Sequence, residues 1–317
     1  MGCGVSRQER PEQERNAQIE AQLKCDWALQ NRELKVLMLG AGDSGKSTVM
    51  KQLKLVRGGG YSHDERLIFK PIILENIVRS MRSILEAMAV FEISVDNSAA
   101  AQYSHVIFMQ GQRSYLKDGM PHEVHMALKS LWNDAGVQQC YARCSEYQVM
   151  DTAGYYFDEI DRFADRHFLP NDEDIVRSRL KTTGINEFHF TADSLTYRIV
   201  DIGGQRSERK KWVHCFEDVK LVLFLVAISE YDQCLYEDPT VNRMQEALDL
   251  FKDTCESRWL KQAAIQLVFN KTDIFREKLF SSPLQNYFPD YEGGSNYTRA
   301  CHYLYFPGRY HDPNALE

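Results

Sequence analysis

One eight-residue run limits the folds open to this chain more than any other feature. Residues 40–47, Gly-Ala-Gly-Asp-Ser-Gly-Lys-Ser, fit the pattern G-x-x-x-x-G-K-[ST], in which backbone N–H groups turn inward around phosphate oxygens. The pattern is informative where a strand precedes it and a helix follows it. Here the apolar residues 34–39 predict a buried strand, and residues 47–55 have helical character. We therefore expect a strand, a phosphate-binding loop and a helix in succession.

Further along the chain, apolar segments alternate with helical ones. Residues 221–228 and 264–269 are apolar on both faces, like the central strands of a sheet covered by helices. Residues 246–259 predict a helix between them, and residues 187–190 and 195–200 flank a polar turn and predict a hairpin. This alternation predicts a doubly wound α/β fold with a mostly parallel sheet and binding loops at the carboxyl ends of its strands.

The stretch from residue 58 to residue 177 differs, because it carries no strong strand signal. Apolar side chains recur in it every three or four residues, which is the spacing of one buried helix face. They are Ile73, Ile77, Met81, Ile84 and Met88. Residues 124–132 and 157–168 also predict helices.

These patterns divide the chain into three parts. Residues 1–33 are expected to contain an amino-terminal helix. Residues 34–57 and 178–317 are expected to form the α/β domain. Residues 58–177, which begin with three glycines, are expected to form an all-helical domain inserted into it.

The composition narrows the class of protein. Hydrophobic residues make up 44% of the chain and charged residues 26%, as in an ordinary soluble globular protein. The net charge of −7 argues against a nucleic-acid partner. No apolar run is long enough to span a bilayer, so any membrane contact is expected to be peripheral.

The eight cysteines are scattered and form no C-x-x-C motif, which favours reduced thiols over a disulfide framework. The alternative is a zinc site built from Cys140, Cys144, His122 and His125. Their spacing fits no standard zinc module, so we favour the simple thiols.

Two motifs supply groups for phosphates and a metal. Lys46 can bring a positive charge to the β- and γ-phosphates of a nucleotide, and Ser47 can offer a hydroxyl to Mg²⁺, which prefers oxygen ligands. The second motif, Asp-Ile-Gly-Gly-Gln at 201–205, follows the end of the predicted hairpin. Asp201 can hold the metal, Gly204 can present its N–H to the γ-phosphate, and Gln205 can orient an attacking water.

A third motif addresses the base. Asn270 and Asp273 belong to the run Asn-Lys-Thr-Asp, which follows the predicted strand 264–269. A carboxylate here can accept two N–H bonds from guanine, whereas adenine lacks that donor pattern. The basic run 177–184 is in isolation typical of a solvated surface. Beside a phosphate site, its Arg179 can stabilise charge on a transferring phosphoryl group, and its Thr182 can complete the metal shell.

Together these residues resemble the heterotrimeric G protein α subunit family, from Met1 to about Tyr303. The resemblance extends to residues 151–156, similar to a family segment that closes over the nucleotide, and to Trp212. It implies a Ras-like P-loop NTPase domain with an inserted helical domain. It also implies a protein that cycles between GDP and GTP states, hydrolyses GTP, and couples membrane receptors to effectors with a βγ dimer.

The resemblance assigns roles to individual residues. Arg179 would be the arginine supplied within the chain, Gln205 the water-positioning glutamine and Lys46 the third catalytic group. Ser47, Thr182 and Asp201 would hold Mg²⁺. The residues expected to bind GTP or GDP are Gly42, Asp43, Ser44, Gly45, Lys46, Ser47, Thr48, Asp151, Thr152, Arg177, Arg179, Thr182, Asp201, Gly204, Asn270, Lys271 and Asp273.

The amino terminus agrees with this resemblance. The sequence begins Met-Gly-Cys-Gly-Val-Ser, which fits the myristoylation pattern M-G-x-x-x-[ST] and places a candidate palmitoylation site next to it. Gly2 and Cys3 would then anchor the protein peripherally at the cytoplasmic face of the plasma membrane, since two acyl chains bind membranes stably. Residues 7–33 predict a charged helix, either an autonomous solvated helix or, by the resemblance, a βγ-docking surface.

Two departures from the family stand out. Asp43 occupies a position where the family usually has Glu, and its shorter side chain is expected to weaken an ion pair with Arg179. After Tyr303 we find no counterpart of the family's guanine-ring loop, last strand and last helix. This leads us to expect a carboxyl-terminally incomplete GTPase domain with an open sheet edge at Asn270, and it puts receptor binding in doubt.

Two hypotheses from different classes follow. The first is a membrane-anchored GTPase switch, which the complete set of catalytic residues favours. The second is a non-enzymatic module that binds βγ or another partner and turns nucleotide over weakly or not at all. Retention of nucleotide by the purified protein distinguishes the two. A generic P-loop ATPase is a third possibility, opposed by Asn270 and Asp273.

Overall fold

The computed structural model describes residues 15–16, 18–20, 22, 32–109 and 119–305. Within them, five strands form one sheet in the order β2-β3-β1-β4-β5. The strands are β1 (Glu33–Leu39), β2 (Ile185–Ala192), β3 (Leu195–Ile202), β4 (Val219–Ala227) and β5 (Ala264–Asn270). β2 and β3 pair antiparallel, and the other neighbours pair parallel. The predicted α/β fold with a mostly parallel sheet is therefore confirmed.

The register brings the carboxyl ends of the parallel strands to one edge of the sheet. Met38 of β1 lies opposite Asp201 of β3, and Leu39 lies opposite Phe224 of β4. The predicted hairpin is present, and its turn residues Asp193 and Ser194 both have positive φ angles of 51° and 66°. Such angles suit a two-residue hairpin turn, because they match the twist of the two strands.

Helices cover the sheet and fill the long connection between β1 and β2. In chain order they are α1 (Lys46–Arg57), α2 (His63–Val90), α3 (Ser98–Met109), α4 (His122–Trp132), α5 (Ala135–Tyr141), α6 (Ala153–Asp158), α7 (Ile160–Ala164), α8 (Asp172–Arg177), α9 (Arg243–Glu256), α10 (Thr272–Ser281) and α11 (Tyr297–Tyr305). Short 3₁₀ helices occupy Arg209–Cys215, Ile228–Glu230 and Leu284–Asn286.

The helical part of the fold has a core of its own. α2 begins with a capping box, in which the Ser62 hydroxyl accepts from the backbone of Glu65 and the Glu65 carboxylate accepts from the backbone of Ser62. The five Ile and Met residues of the predicted stripe are all buried on α2, where they pack with apolar side chains of the other helices between residues 73 and 168. Separate clusters lie on the two faces of the sheet. The inserted all-helical part is confirmed, whereas the domain boundaries stay predictions.

Some element ends differ from the prediction. The helix predicted at 246–259 runs from Arg243 to Glu256, because the Asn242 side chain caps it by accepting from the backbone N–H groups of Met244 and Gln245. The segment predicted as one helix at 157–168 falls instead into the end of α6 and the short α7.

The remaining predictions concern the amino terminus, membrane contact and the zinc alternative. Gly2, Cys3 and most of residues 1–33 lie outside the described residues, although the described residues between 15 and 22 are helical. Among the described residues, no helix is long and apolar enough to cross a bilayer. Of the side chains considered for zinc, His125 pairs with Asp161, and Cys140 donates to the Ile84 carbonyl.

Candidate functional site

The phosphate-binding loop lies directly against the ends of β4 and β5. A Cβ built on Gly40 would lie 2.2 Å from the Leu225 carbonyl oxygen, and one on Gly45 would lie 2.0 Å from Asn270 Nδ2. Both glycines also have positive φ angles, which L side chains rarely adopt. Asn270 Nδ2 donates to the Ser44 carbonyl at 2.9 Å. The first and third sequence motifs are therefore in direct contact.

Lys46, the first residue of α1, is buried at the centre of this loop. Its ammonium donates to the carbonyls of Gly40 at 2.9 Å and Ala41 at 2.7 Å, and to the Ser44 hydroxyl at 3.2 Å. Burial lowers the pKa of Lys46 to about 8, against the opposing effect of the Asp201 carboxylate. The loop thus encloses a cationic nitrogen, which is what a phosphate-binding loop requires.

The second motif packs onto the first through Gly204. A Cβ on this residue would lie 2.4 Å from both the Gly40 carbonyl oxygen and Lys46 Nζ, so only glycine fits here. A Cβ on Gly42 would lie 3.3 Å from Gln205 Cγ, which places the glutamine side chain at the rim of the loop. Arg209 also contacts this motif, because its guanidinium donates to the Gly204 carbonyl at 3.1 Å.

Three oxygen-bearing side chains meet beside the loop. The Ser47 hydroxyl lies 2.6 Å from the Thr182 hydroxyl and donates to Asp201 Oδ2 at 2.7 Å. The other carboxylate oxygen, Asp201 Oδ1, is buried and has no hydrogen-bond partner among the described residues. Burial raises the pKa of Asp201, and the Ser47 hydrogen bond and the charges of Lys46 and Lys51 offset this only in part. The three residues predicted to hold Mg²⁺ are therefore brought together.

Arg179 forms an ion pair with the loop. Its guanidinium donates to Asp43 at 2.6 Å, and Arg243 also reaches Asp43, at 3.2 Å. The pair with Arg179 was expected to be weakened by the short Asp43 side chain, yet it forms at normal length. The Asp43 backbone has a φ of 64°, an angle that Asp adopts more readily than most residues.

Lys271 links the base motif to the helical part. Its ammonium donates to Asp151 and to Glu230, both at 2.7 Å. Burial would lower the pKa of Lys271, but the Glu230 and Asp151 carboxylates outweigh it and raise the pKa. Glu230 also accepts from Arg243 at 3.1 Å, so a continuous chain of ion pairs runs from Asp151 to Asp43.

The remaining predicted residues lie at the margins. Thr48 and Asp273 are exposed. Thr152 donates to the carbonyl of Arg177 at 3.4 Å. Arg177 itself donates to Glu173 at 2.9 Å and lies over the Tyr155 ring, so it is not directed at the loop.

Sequence reasoning missed several residues of this site. Arg243 and Glu230 carry no local signal, because their roles depend on contacts between distant segments. Lys51 lies one helical turn after Ser47 on the same face of α1, and that spacing was a usable signal. Asn76 is a polar residue inside the apolar stripe of α2, and a buried polar residue normally has a partner.

A cavity of about 940 Å³ opens beside the site. Gly42, Asp43, Arg179 and Gln205 line one end of it, and α2 forms a wall. Its volume is within the range of small-molecule sites, and it gives access to the rim of the phosphate-binding loop.

Comparisons with known proteins agree with this geometry. Residues 13–311 match the family described as G-protein alpha subunit. A guanine nucleotide-binding protein subunit alpha from Cochliobolus heterostrophus is 57% identical over 304 residues, which cover 96% of this chain and 86% of the relative. A guanine nucleotide-binding protein alpha-1 subunit from Neurospora crassa is 56% identical over the same shares of each chain. A G-protein complex alpha subunit from Aspergillus fumigatus is also 56% identical.

These similarities decide between the two hypotheses drawn from the sequence. They support the GTP-binding signal transducer, and none of them favours the non-enzymatic module. Members of this family generally act with βγ dimers, receptors and effectors. The chain belongs to the G-protein alpha subunit family, and it is a GTP-binding signal transducer that hydrolyses GTP.

Proposed function

We propose that GTP is bound and hydrolysed where the three sequence motifs meet. The phosphates would lie on the loop 40–47, and Mg²⁺ would lie on Ser47, Thr182 and Asp201. The observation that carries this assignment is the buried Asp201 Oδ1, which lacks a hydrogen-bond partner among the described residues. A buried carboxylate oxygen without a partner is costly, and a cation bound there would satisfy it.

The donor set suits magnesium. All three side chains offer oxygen, which is the ligand type that Mg²⁺ prefers, and one carboxylate is the usual protein contribution when phosphates supply further ligands. When bound, Mg²⁺ would neutralise charge on the phosphate oxygens. Before that, Ser47 and Thr182 hold each other and Asp201 in place through hydrogen bonds of 2.6 and 2.7 Å.

Arg179 and Gln205 are the proposed catalytic side chains at the terminal phosphate, with Lys46 as the fixed charge. The Arg179 side chain is 44% exposed, so it can exchange Asp43 for a phosphate oxygen without leaving a buried position. Gln205 has a neutral amide at the loop rim and is suited to orient a water by hydrogen bonds. Lys46 already lies inside the loop, where its carbonyl partners would be replaced or joined by phosphate.

Selection of guanine is assigned to Asp273. It lies in the first turn of α10 and is exposed, so its carboxylate is accessible to the N–H groups of a base. Asn270 supports the same edge of the site through its bond to the Ser44 carbonyl. Lys271, Asp151 and Thr152 would border the nucleotide from the side of the helical part.

Membrane attachment and partner docking extend this proposal to the amino terminus. Gly2 and Cys3 are proposed to carry acyl chains that hold the protein at the cytoplasmic face of the plasma membrane. The helix within residues 7–33 is proposed to dock a βγ dimer, and its described residue Ile19 is exposed. The name of the Aspergillus relative, an alpha subunit of a G-protein complex, supports such a partner.

Nucleotide binding is tested with the purified full chain, Mg²⁺ and a fluorescent non-hydrolysable GTP analogue. Competition by GDP but not by ATP is expected, because only the guanine base offers the donor pattern for Asp273. Displacement by ATP at equal concentration would contradict the assignment of the base site.

The catalytic assignment is tested by Gln205→Leu in single-turnover hydrolysis of GTP. We expect the rate to fall by about 100-fold or more while analogue binding is kept, because a water-orienting group acts in the transition state. Gln245→Leu, on the exposed face of α9, is the matched control and should leave the rate unchanged. An unchanged rate in Gln205→Leu would remove that residue from the mechanism.

The anchor is tested separately by Gly2→Ala in cell fractionation. Loss of the protein from the membrane fraction is expected, since a single remaining signal gives only marginal binding. Persistence at the membrane would contradict the proposed acylation.

A further inference from the structure

Arg179 lies in a stretch of chain that has no regular secondary structure. α8 ends at Arg177, and β2 begins at Ile185. A side chain that acts at a phosphate must be held within a fraction of an ångström of its productive position. No helix or strand fixes the Arg179 backbone, so other contacts must do so.

Asn76 of α2 provides a two-point contact to that backbone. Its Oδ1 accepts from the Arg179 backbone N–H at 2.6 Å, and its Nδ2 donates to the Arg179 carbonyl at 2.9 Å. One amide side chain thus pairs with both polar backbone groups of the arginine. The pairing fixes both the position of Arg179 and the orientation of its peptide groups.

Asn76 is itself buried and hydrogen-bonded. It is only 6% exposed, and Ile73 and Ile77 on the same helix are fully buried. An amide buried at this level is tolerated when its hydrogen bonds are made, and those bonds go to Arg179. The long, well-packed α2 therefore serves as the support for an otherwise irregular segment.

Lys51 of α1 holds the chain just before Arg179 from the other side. Its ammonium donates to the carbonyls of Ile175 at 2.9 Å and Ser178 at 2.6 Å, and to the Ser178 hydroxyl at 3.0 Å. The segment is therefore fixed from the helix that follows the phosphate-binding loop and from the inserted helical part.

We propose that Asn76 is a positioning residue for Arg179. Asn76 lets the helical part support GTP hydrolysis by fixing the Arg179 backbone. Asn76 itself does not contact the nucleotide in this role. The inference rests on the proposed role of Arg179. The two roles can be tested separately, because loss of Asn76 should slow hydrolysis only while the Arg179 side chain is present.

The test is a double-mutant cycle in the full chain with Asn76→Ala, Arg179→Ala and the double variant. Single-turnover hydrolysis, GTP-analogue affinity and affinity for GDP with aluminium fluoride, a mimic of the transferring phosphoryl group, are measured for each. Asn76→Ala should slow hydrolysis by about 10- to 100-fold, since small misplacements of catalytic groups have effects of this size. It should weaken binding of the mimic and leave analogue affinity unchanged.

In the Arg179→Ala background, Asn76→Ala should have no further effect on the rate, because residues that act as a unit are non-additive. The matched control is Ser80→Ala, one turn further along α2. Ser80 is also buried, and its hydroxyl has no hydrogen-bond partner among the described residues. It should leave all three quantities unchanged.

The outcomes separate the two claims. A normal rate in Asn76→Ala, or an additive loss in the double variant, overturns the positioning role. A normal rate in Arg179→Ala overturns the proposed catalytic role of the arginine instead. If Asn76→Ala fails to bind the analogue, Asn76→Asp takes its place, because it keeps the acceptor for the Arg179 N–H and loses the donor. Its rate should lie below that of the unmodified chain, and an unchanged rate overturns the inference.

Discussion

Two aspartates, one in the helical part and one at the end of β3, are equally buried and differently satisfied. Asp174 is 0% exposed and Asp201 is 1% exposed. Both Asp174 oxygens accept from Arg162 at 2.8 Å, and the carboxylate also accepts from the Tyr155 hydroxyl at 2.7 Å and the Asn171 backbone at 2.9 Å. Asp201 accepts only from Ser47, and its other oxygen has no partner within the described part of the chain.

The pKa values of the two groups shift in opposite directions. Burial would raise the pKa of Asp174, but the hydrogen bonds from Arg162, Asn171 and Tyr155 outweigh it and hold the pKa below 3.8. Burial raises the pKa of Asp201 above 3.8, and its few partners do not compensate. Both oxygens of Asp174 accept hydrogen bonds from described residues, whereas one oxygen of Asp201 does not, and we propose that a cation satisfies it. Burial alone therefore does not distinguish these two carboxylates, whereas the number of their hydrogen-bond partners does.

The largest effect is expected for Asp201→Asn. Loss of this proposed metal ligand should lower single-turnover GTP hydrolysis by about 100-fold or more, since a bound metal contributes several kcal/mol to phosphoryl transfer. Removal of Mg²⁺ with EDTA should reduce the thermal stability of the analogue-bound unmodified chain and leave that of the variant unchanged. Without metal, the variant should be at least as stable as the unmodified chain, because it no longer buries an unpaired charge.

Asp193→Asn is the control for this substitution. Asp193 is exposed in the turn that leads into the same strand, and Asn tolerates its positive φ. If Asp201→Asn keeps both its Mg²⁺ response and its rate, Asp201 is not a metal ligand and the contrast with Asp174 loses its meaning.

Asp174→Asn should show the reverse pattern. The free energy of unfolding is expected to fall by about 2 kcal/mol, because charged hydrogen bonds to Arg162 and Tyr155 are lost in a buried position. Hydrolysis per folded molecule should not change. Urea unfolding followed by circular dichroism measures the first quantity. Glu173→Gln, an exposed neighbour on α8 paired with Arg177, should cost less than about 0.5 kcal/mol.

Sequence patterns predicted the strands and motifs that carry these side chains, but they missed contacts between residues far apart in the chain. β1 is predicted at 34–39 and spans Glu33–Leu39, because the apolar run that predicts it is a local signal. The strand predicted to reach Ile228 stops at Ala227 and turns into a 3₁₀ helix. That turn carries Glu230, which pairs with Lys271 and Arg243.

Contacts between distant segments could not be predicted in the same way. Asn76 and Arg179 are 103 residues apart, and Asp43 and Arg243 are 200 apart. Such pairs depend on how finished helices pack against the sheet, and no periodicity encodes that. The motifs predicted that Ser47, Thr182 and Asp201 lie together, and hydrogen bonds join them. They gave no indication that one Asp201 oxygen would lack a partner among the described residues.

Acid should remove the difference in folding stability between the unmodified chain and Asp174→Asn. The pKa of Asp174 is lower in the folded chain than its ordinary value of 3.8, so below 3.8 the unfolded chain binds more protons than the folded one. Stability from this carboxylate is complete above 3.8 and is lost as the pH falls through the folded value. The difference between the unmodified chain and Asp174→Asn should therefore shrink by roughly 1 kcal/mol per pH unit below 3.8.

Parallel urea titrations of both proteins give this difference, and acid effects common to the two cancel. A difference that grows on acidification would mean that the folded chain protonates Asp174 more readily than the unfolded chain. In that case the pKa of Asp174 would be raised on folding, as that of Asp201 is, and the two aspartates would no longer contrast.

The Asp43 carboxylate has more charged partners than Asp201, but its side chain is more exposed than that of Asp174. We expect substitutions at Asp43 to have the smallest effect on stability and hydrolysis. Burial opposes the charge of Asp43, but Arg179, Arg243 and Lys271 together lower its pKa. Asp43→Glu keeps the charge but places Glu at a φ of 64°, which should cost up to about 1 kcal/mol because a longer side chain is less suited to the left-handed region. Asp43→Asn keeps the backbone preference and removes the charge, so comparing the two variants separates strain from ion pairing.

The rate of GTP hydrolysis should change by less than about threefold in Asp43→Glu, since its partner Arg179 is half exposed and such pairs contribute less than about 1 kcal/mol. A larger loss in Asp43→Glu than in Asp43→Asn would show that backbone geometry, and not charge, is what this position supplies to the loop.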